Sequence, residues 1–302
     1  MKKFFAIAIL LGSLVAPAWA DATFDEAMAL FDDGNYVEAL PIAQDFAGKD
    51  DQRAMIMLGS MFQKGLGVDA DPKQAQFWFR KAANMDNVDA QFALGMLLMD
   101  GSLGSVNIDE GAPMLERAAT AGNAQAQYNM GLFYSGVYNN PSAWPSAAEW
   151  FRKAADQGLA DAQYNLALLY IDGRGVEKNA VDAATWFSKA AVQGMPDAAL
   201  EYGVLVFRGE GVQKDEKLGA KWLMIAANHG NAVAMNRVSK LYATGLGVEA
   251  DGIEGAKWNI LAKAGGRADT ALDEAMAKMK PEDLKQAQAR ATAFKPVAVV
   301  IR

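Results

Sequence analysis

Imidazole is the side chain best suited to moving protons near neutral pH, and the chain has one, His229, in Ala227-Asn228-His229-Gly230. A Ser-His-Asp relay would have to use it, yet no G-x-S-x-G elbow accompanies it. The equivalent positions at steps of 36 hold Ala121, Gln157 and Gln193, so the slot reads as a helix C-terminus that tolerates polar residues. Carboxylates cluster at Asp32-Asp33, Asp50-Asp51 and Asp69-Ala70-Asp71. The last looks like the start of a calcium loop, but Gln74 stands where that loop needs glycine and Arg80 where it needs glutamate. Helix capping and solvation are the expected roles. Met55, Met57, Met61, Met96 and Met99 offer thioethers, soft ligands for copper(I); methionine serves as often as adaptable core filler. The chain has no cysteine, which removes thiol nucleophiles, disulfide frameworks, cysteine-built zinc clusters and a lipid anchor on an N-terminal Cys. No catalytic, metal or cofactor site is expected.

The remaining candidates are contact residues. Tyr128-Asn129 and Tyr164-Asn165 are 36 apart, and each sets an aromatic ring beside an amide suited to hydrogen-bonding the extended backbone of a partner. Between them lies Gly136-Val137-Tyr138-Asn139-Asn140-Pro141-Ser142-Ala143-Trp144-Pro145, a segment with two prolines and a tryptophan. Trp144 reads either as an exposed anchor on a rigid loop or as a ring folded back over its own helices. The partner-binding candidates are thus Tyr128, Asn129, Trp144, Tyr164 and Asn165.

The elements that must position them follow from a repeat of constant length. Trp150, Trp186, Trp222 and Trp258 are 36 apart, with Trp78 in the same register; Gly122, Gly158, Gly194, Gly230 and Gly266 keep the step. So do Ala54, Ala90, Ala126, Ala162, Ala198 and Ala234, and a second series from Ala82 through Ala118, Ala154, Ala190 and Ala226 to Ala262. Six units therefore tile residues 51–266. Within one unit, Ala162, Leu166, Leu169 and Tyr170 make a 3.6-residue stripe on a first helix over 160–172. Gly173-Arg174-Gly175-Val176 breaks it, and Ala183, Trp186, Phe187, Ala190 and Ala191 stripe a second helix ending before Gly194. Small residues let backbones approach, and the tryptophans are expected to fill the space left. A helix pair this short cannot bury both faces, so the units must stack into an all-α solenoid of helix-turn-helix repeats.

The stretch A-x-A-Q-Y-N-L-A-x-L-Y-x-D-G-R-G-V-x-x-N-x-x-x-A-x-x-W-F-x-K-A-A-x-Q-G, which ends at Gly194, resembles the Sel-one-like repeat, a relative of the tetratricopeptide repeat with a longer inter-helix loop. Similar patterns recur in 54–84 and at Gly209-Glu210-Gly211-Val212 and Gly245-Leu246-Gly247-Val248. The resemblance implies that first helices line the binding face, where Ile56, Phe92, Tyr128, Tyr164, Leu200 and Asn236 form one series and Met57, Ala93, Asn129, Asn165, Glu201 and Arg237 another. Residues 21–50 resemble a tetratricopeptide unit and can cap the stack; residues 267–302 supply two more helices, over 269–279 and 281–294, and the apolar tail Val297–Arg302. That tail suits docking on the C-terminal cap or addition as a strand to a partner.

Lys2 and Lys3, the apolar run Phe4 to Pro17 and Ala18-Trp19-Ala20 read as a secretory signal peptide over 1–20, cut after Ala20. The product would be periplasmic or secreted, with no membrane span left. Loss of Lys2 and Lys3 leaves 27 Lys/Arg against 36 Asp/Glu, a net charge of −9, which argues against nucleic acid as a partner. The resemblance implies a non-catalytic protein-binding scaffold or adaptor in envelope assembly or signalling, with protein partners. It leaves open an envelope hydrolase acting on peptidoglycan or β-lactams, an activity attributed to cysteine-rich members, and a carbohydrate binder using Trp144 and the tyrosines.

Overall fold

The computed structural model describes residues 22–138 and 140–298. Residues 1–21, among them the stretch read as a signal peptide, Asn139 of the third loop and residues 299–302 of the tail lie outside the described residues. Among the described residues there are sixteen helices and no strand. The chain divides into two units. Met1–Ala121 holds α1 (Phe24–Asp32), α2 (Tyr36–Gly48), α3 (Gln52–Lys64), α4 (Pro72–Ala83), α5 (Val88–Met99) and α6 (Ile108–Thr120). Gly122–Arg302 holds α7 (Ala124–Tyr134), α8 (Trp144–Asp156), α9 (Ala160–Asp172), α10 (Ala180–Val192), α11 (Pro196–Arg208), α12 (Glu216–Asn228), α13 (Ala232–Thr244), α14 (Gly252–Ala264), α15 (Thr270–Ala277) and α16 (Pro281–Ala293). No helix among the described residues is long and apolar enough to cross a membrane.

Each repeat is closed by one hydrogen bond in a fixed place. The amide before the second helix donates to a carbonyl at or just before the end of the first: Asp71 to Phe62 (2.8 Å), Asn107 to Leu98 (2.7 Å), Ala143 to Tyr134 (2.7 Å), Asn179 to Tyr170 (3.0 Å), Asp215 to Val206 (3.0 Å) and Asp251 to Tyr242 (3.1 Å). Five of these six donors also cap the second helix with a side-chain oxygen. Ala143 cannot, but Pro145 follows at the second helical position, where it removes an amide that would need an acceptor. The reshaped third loop thus keeps the closing bond and drops the cap.

The loop glycines have separate tasks. Gly173 ends α9 in the left-handed region at φ +70°, a conformation that carries little cost only without a Cβ. Gly175, also at φ +70°, lies against the start of the preceding repeat's second helix, where an added Cβ would fall 2.2 Å from the Trp144 carbonyl oxygen. Gly211 stands in the same relation to Ala180 and Gly247 to Glu216.

All twelve alanines of the two series are fully buried, at 0% exposure. The tryptophans are not the core fillers that their spacing suggested. Trp78, Trp150 and Trp186 are half-buried, and the residue after each of them, Phe79, Phe151 and Phe187, is the one enclosed. In the first and third repeats the reason is the first-helix glycine: an added Cβ on Gly59 would lie 2.4 Å from the Phe79 ring, and one on Gly131 2.5 Å from Phe151; the fourth has the small Ala167 in that place. The phenylalanine occupies the space that the glycine leaves. The tryptophan flanks it and receives a lysine one turn on, Lys153 Nζ 3.9 Å from the Trp150 ring centre and Lys189 3.8 Å from that of Trp186, a cation–π contact of about 0.5–1 kcal/mol at such sites. In the last repeat Trp258 is buried, because α16 packs on α14 and sets Phe294 edge-on against it at 5.4 Å.

The methionine cluster is mostly core. Met55, Met57, Met61 and Met99 are buried and Met96 half-buried. Asp51 and Asp71 are N-caps.

A candidate binding face on the first helices

Tyr128 sits on α7 with its ring 5.8 Å from Phe151, and Tyr164 on α9 with its ring 5.5 Å from Phe187. Both are half-buried. Packing against the enclosed phenylalanine fixes each ring, so the two present equivalent surfaces one repeat apart. Burial pushes both hydroxyls above the usual tyrosine range, and a carboxylate from the following repeat adds to the effect, Asp161 for Tyr128 and Asp197 for Tyr164. Both tyrosines therefore stay neutral donors.

The asparagines beside them are largely occupied within the protein. Asn129 and Asn165 each donate through Nδ2 to the carbonyl four residues back, Gln125 and Asp161, at 2.8 Å. Asn129 is buried, and its Oδ1 accepts from the Tyr138 hydroxyl at 3.3 Å. The Asn165 side chain beside the Tyr128 hydroxyl offsets part of its upward shift.

The same face continues over α11 and α13. Glu201, one repeat on from Asn165, is half-buried; desolvation pushes its carboxyl above the usual range, and the charge of Arg237, one repeat further, offsets part of that. Arg237 Nε is buried with no hydrogen-bond partner among the described residues. Asn236 and Lys240 reach Asp269, the N-cap of α15, at 3.4 and 2.7 Å. The face therefore runs from paired aromatic rings to paired charges.

Trp144 belongs to a different cluster. It is the first residue of α8, half-buried, with the Arg174 guanidinium 5.2 Å from its ring centre and Gly175 against its carbonyl. The loop before it is pinned by Asn140, whose Nδ2 donates to the Phe133 carbonyl at 2.8 Å. Of the five candidates the structure thus groups Tyr128, Asn129, Tyr164 and Asn165 on the first helices and sets Trp144 apart. Tyr138, Asp161 and Asp197 were missed in the sequence. The aspartates keep the 36-residue step that marks the tyrosines; Tyr138 lies in the irregular loop and carries no such signal.

His229 closes α12, with Nδ1 2.9 Å from the Val297 carbonyl oxygen, while the Val297 amide donates to Asn228 at 2.8 Å. The start of the tail is thus docked within the second unit. In the same slot Gln157 and Gln193 bond neighbouring repeats. Among the described residues no three His, Cys, Asp or Glu side chains come together in a group able to hold a metal ion.

Helix pairs repeated at 36 residues, closed by one hydrogen bond and presenting graded side chains on one set of helices, define an all-α repeat solenoid. A family model for the Sel1 repeat matches residues 52–87, 88–123, 124–159, 160–195, 196–231 and 232–266, and the chain belongs to that family. Its fold is similar to the crystal structure of c5321, a protective antigen present in uropathogenic Escherichia coli strains that displays an SLR fold. That match has a TM-score of 0.78 and 26% identity over 90% of this chain and 60% of the antigen. A Sel1 repeat protein from Oxalobacter formigenes is similar over 80% of this chain and 100% of its own, with a TM-score of 0.71 and 30% identity. The chain spans about 60% of the antigen's length. No curated protein matches the chain.

Proposed function

We propose that the protein is an exported, non-catalytic scaffold that holds a protein partner of the bacterial envelope on the first-helix face around Tyr128 and Tyr164. The observation that carries this is the pair of tyrosines, 36 residues apart and each braced on a buried phenylalanine. Rigid aromatic rings with a polar tip lose little entropy on binding and supply most of the energy where they are central to an interface. Asn165 and Asn129 hold the face in shape, and Trp144 with Arg174 offers a separate contact at the start of α8. Sel1-repeat solenoids are interaction scaffolds, and the leader-like residues 1–20 support delivery to the periplasm.

The test is capture from an envelope extract with wild type and a Tyr128→Ala/Tyr164→Ala variant, with isolated glycan strands in parallel. Retention of a protein by wild type and its loss in the variant is the expected result. Retention of glycan alone, or cleavage of glycan with no protein retained, overturns the reading.

A further inference from the structure

The first unit carries a cleft of about 520 Å³ between α1, α3 and α5. Its floor is apolar, with Phe24, Met28, Phe31, Ile56 and Met57, and its rim carries Asp25, Asp32 and Asp89. Met28 is 38% exposed and shares the cleft with the buried Phe24 and Met57. An unbranched thioether at such a place adapts to different apolar guests. Among the described residues that line the cleft Arg53 is the one basic side chain; it lies over the Phe24 ring at 4.6 Å, is ion-paired to Asp51 at 3.0 Å and reaches the exposed carboxylate of Asp25 at 3.9 Å.

The acidity of the chain is concentrated in this unit. Residues 22–121 hold 7 Lys/Arg against 16 Asp/Glu, a net −9, whereas residues 122–302 hold 20 against 19, a net +1. An apolar floor inside a strongly negative unit selects the sign of what enters, because like charge at the rim repels and opposite charge steers.

We propose that this cleft seats a cationic amphipathic segment of a partner protein, with apolar side chains on Met28, Phe31 and Ile56 and Lys or Arg beside Asp25, Asp32 and Asp89. This inference stands on the first unit alone and does not depend on the tyrosine face.

The probe is a fluorescein-labelled helical peptide of about 14 residues built only from Leu and Lys at amphipathic spacing, with an all-Lys peptide of equal length as control; binding to the purified protein is read by anisotropy. Asp25→Lys/Asp32→Lys changes two exposed charges, and Met28→Glu puts a charge on the floor without altering the rim. Circular dichroism verifies that both variants are folded. The Leu/Lys peptide is expected to bind wild type at least about tenfold more tightly than it binds the Asp25→Lys/Asp32→Lys variant or than the all-Lys peptide binds wild type. Unchanged affinity in both variants, or equal binding of the all-Lys peptide, overturns the proposal. Loss of the Tyr128→Ala/Tyr164→Ala capture result would leave this outcome untouched.

Discussion

Gln193, at the end of α10, donates through Nε2 to Gln163 Oε1 on α9 at 2.8 Å and to the Gly158 carbonyl at 2.9 Å, so one amide joins its own repeat to the loop of the repeat before. Thirty-six residues earlier Gln157 makes the same two bonds to Gln127 and Gly122 at 2.7 and 2.9 Å. Gln163 is 4% exposed, so Gln193→Ala leaves Gln163 Oε1 without this donor in a buried place. The expected cost is about 1–3 kcal/mol. Adding Gln163→Leu should restore part of it, read by urea unfolding of the single and double variants. Equal stability of Gln193→Ala and wild type would contradict the role assigned to this bond.

Gly211 tests the close approach of loop to helix. An added Cβ would lie 2.1 Å from the Ala180 carbonyl oxygen, and the residue is at φ +73°; Gly104, at φ +97°, has nothing within 4 Å. Gly104→Ala therefore reports backbone strain alone, about 1 kcal/mol, while Gly211→Ala adds a collision with backbone and should cost at least about 2 kcal/mol more. Equal losses in thermal melts would remove the packing explanation of the second loop glycine.

Trp144→Ala separates structure from contact. With its ring half-buried under Arg174, truncation should destabilise by about 1–3 kcal/mol, below the range for a fully buried tryptophan. Arg174→Ala, which removes the cation over the ring together with an exposed ion pair to Asp172 at 3.1 Å that contributes little, should cost about 0.5–1 kcal/mol. If Trp144→Ala leaves the unfolding midpoint in place while partner capture falls, the ring is a contact residue and not a brace.

Asp269 gives a pH signature. Hydrogen bonds from Lys240 first and then from the Leu272 amide, with a lesser one from Asn236, outweigh the opposing desolvation and hold its carboxyl below the usual 3.8. Because the folded value is depressed, the stability it contributes is fully present above the unfolded value and is lost as the pH falls through the folded one. Asp269→Asn should therefore lower the melting temperature at pH 7, and the gap should narrow as the pH falls below the unfolded value and close once it is below the folded one. A gap that persists unchanged at low pH would mean that the carboxylate charge is not what anchors α15 to α13.

The repeat was legible because packing leaves little freedom: twelve alanines at one step are twelve fully buried positions. Periodicity could not decide between Trp186 and Phe187, since both are apolar and adjacent; the choice depends on a small first-helix residue across the gap, as at Gly131 with Phe151. Tyr128 and Tyr164 kept their place on the first helices, but the inward turn of Asn129 depends on Tyr138, in a loop with no counterpart in the other repeats. The apolar cleft was hidden for a related reason. Asp25, Met28 and Asp32 precede the first 36-residue unit, so they meet Ile56 and Met57 only once α1 is folded against α3. Beyond 266 the period fails, because α16 takes the place on α14 and covers Trp258.

We propose that the first-helix face holds a protein partner. The most direct measurement of this is site-specific photo-crosslinking in the native cell, with p-benzoylphenylalanine in place of Tyr164 on α9 or of Trp186 on α10. Both side chains are half-buried in the same repeat and differ in which helix carries them. A discrete protein adduct from position 164 and none from position 186 is the result expected. An adduct from position 186 alone, or glycan as the only species joined at position 164, would contradict it.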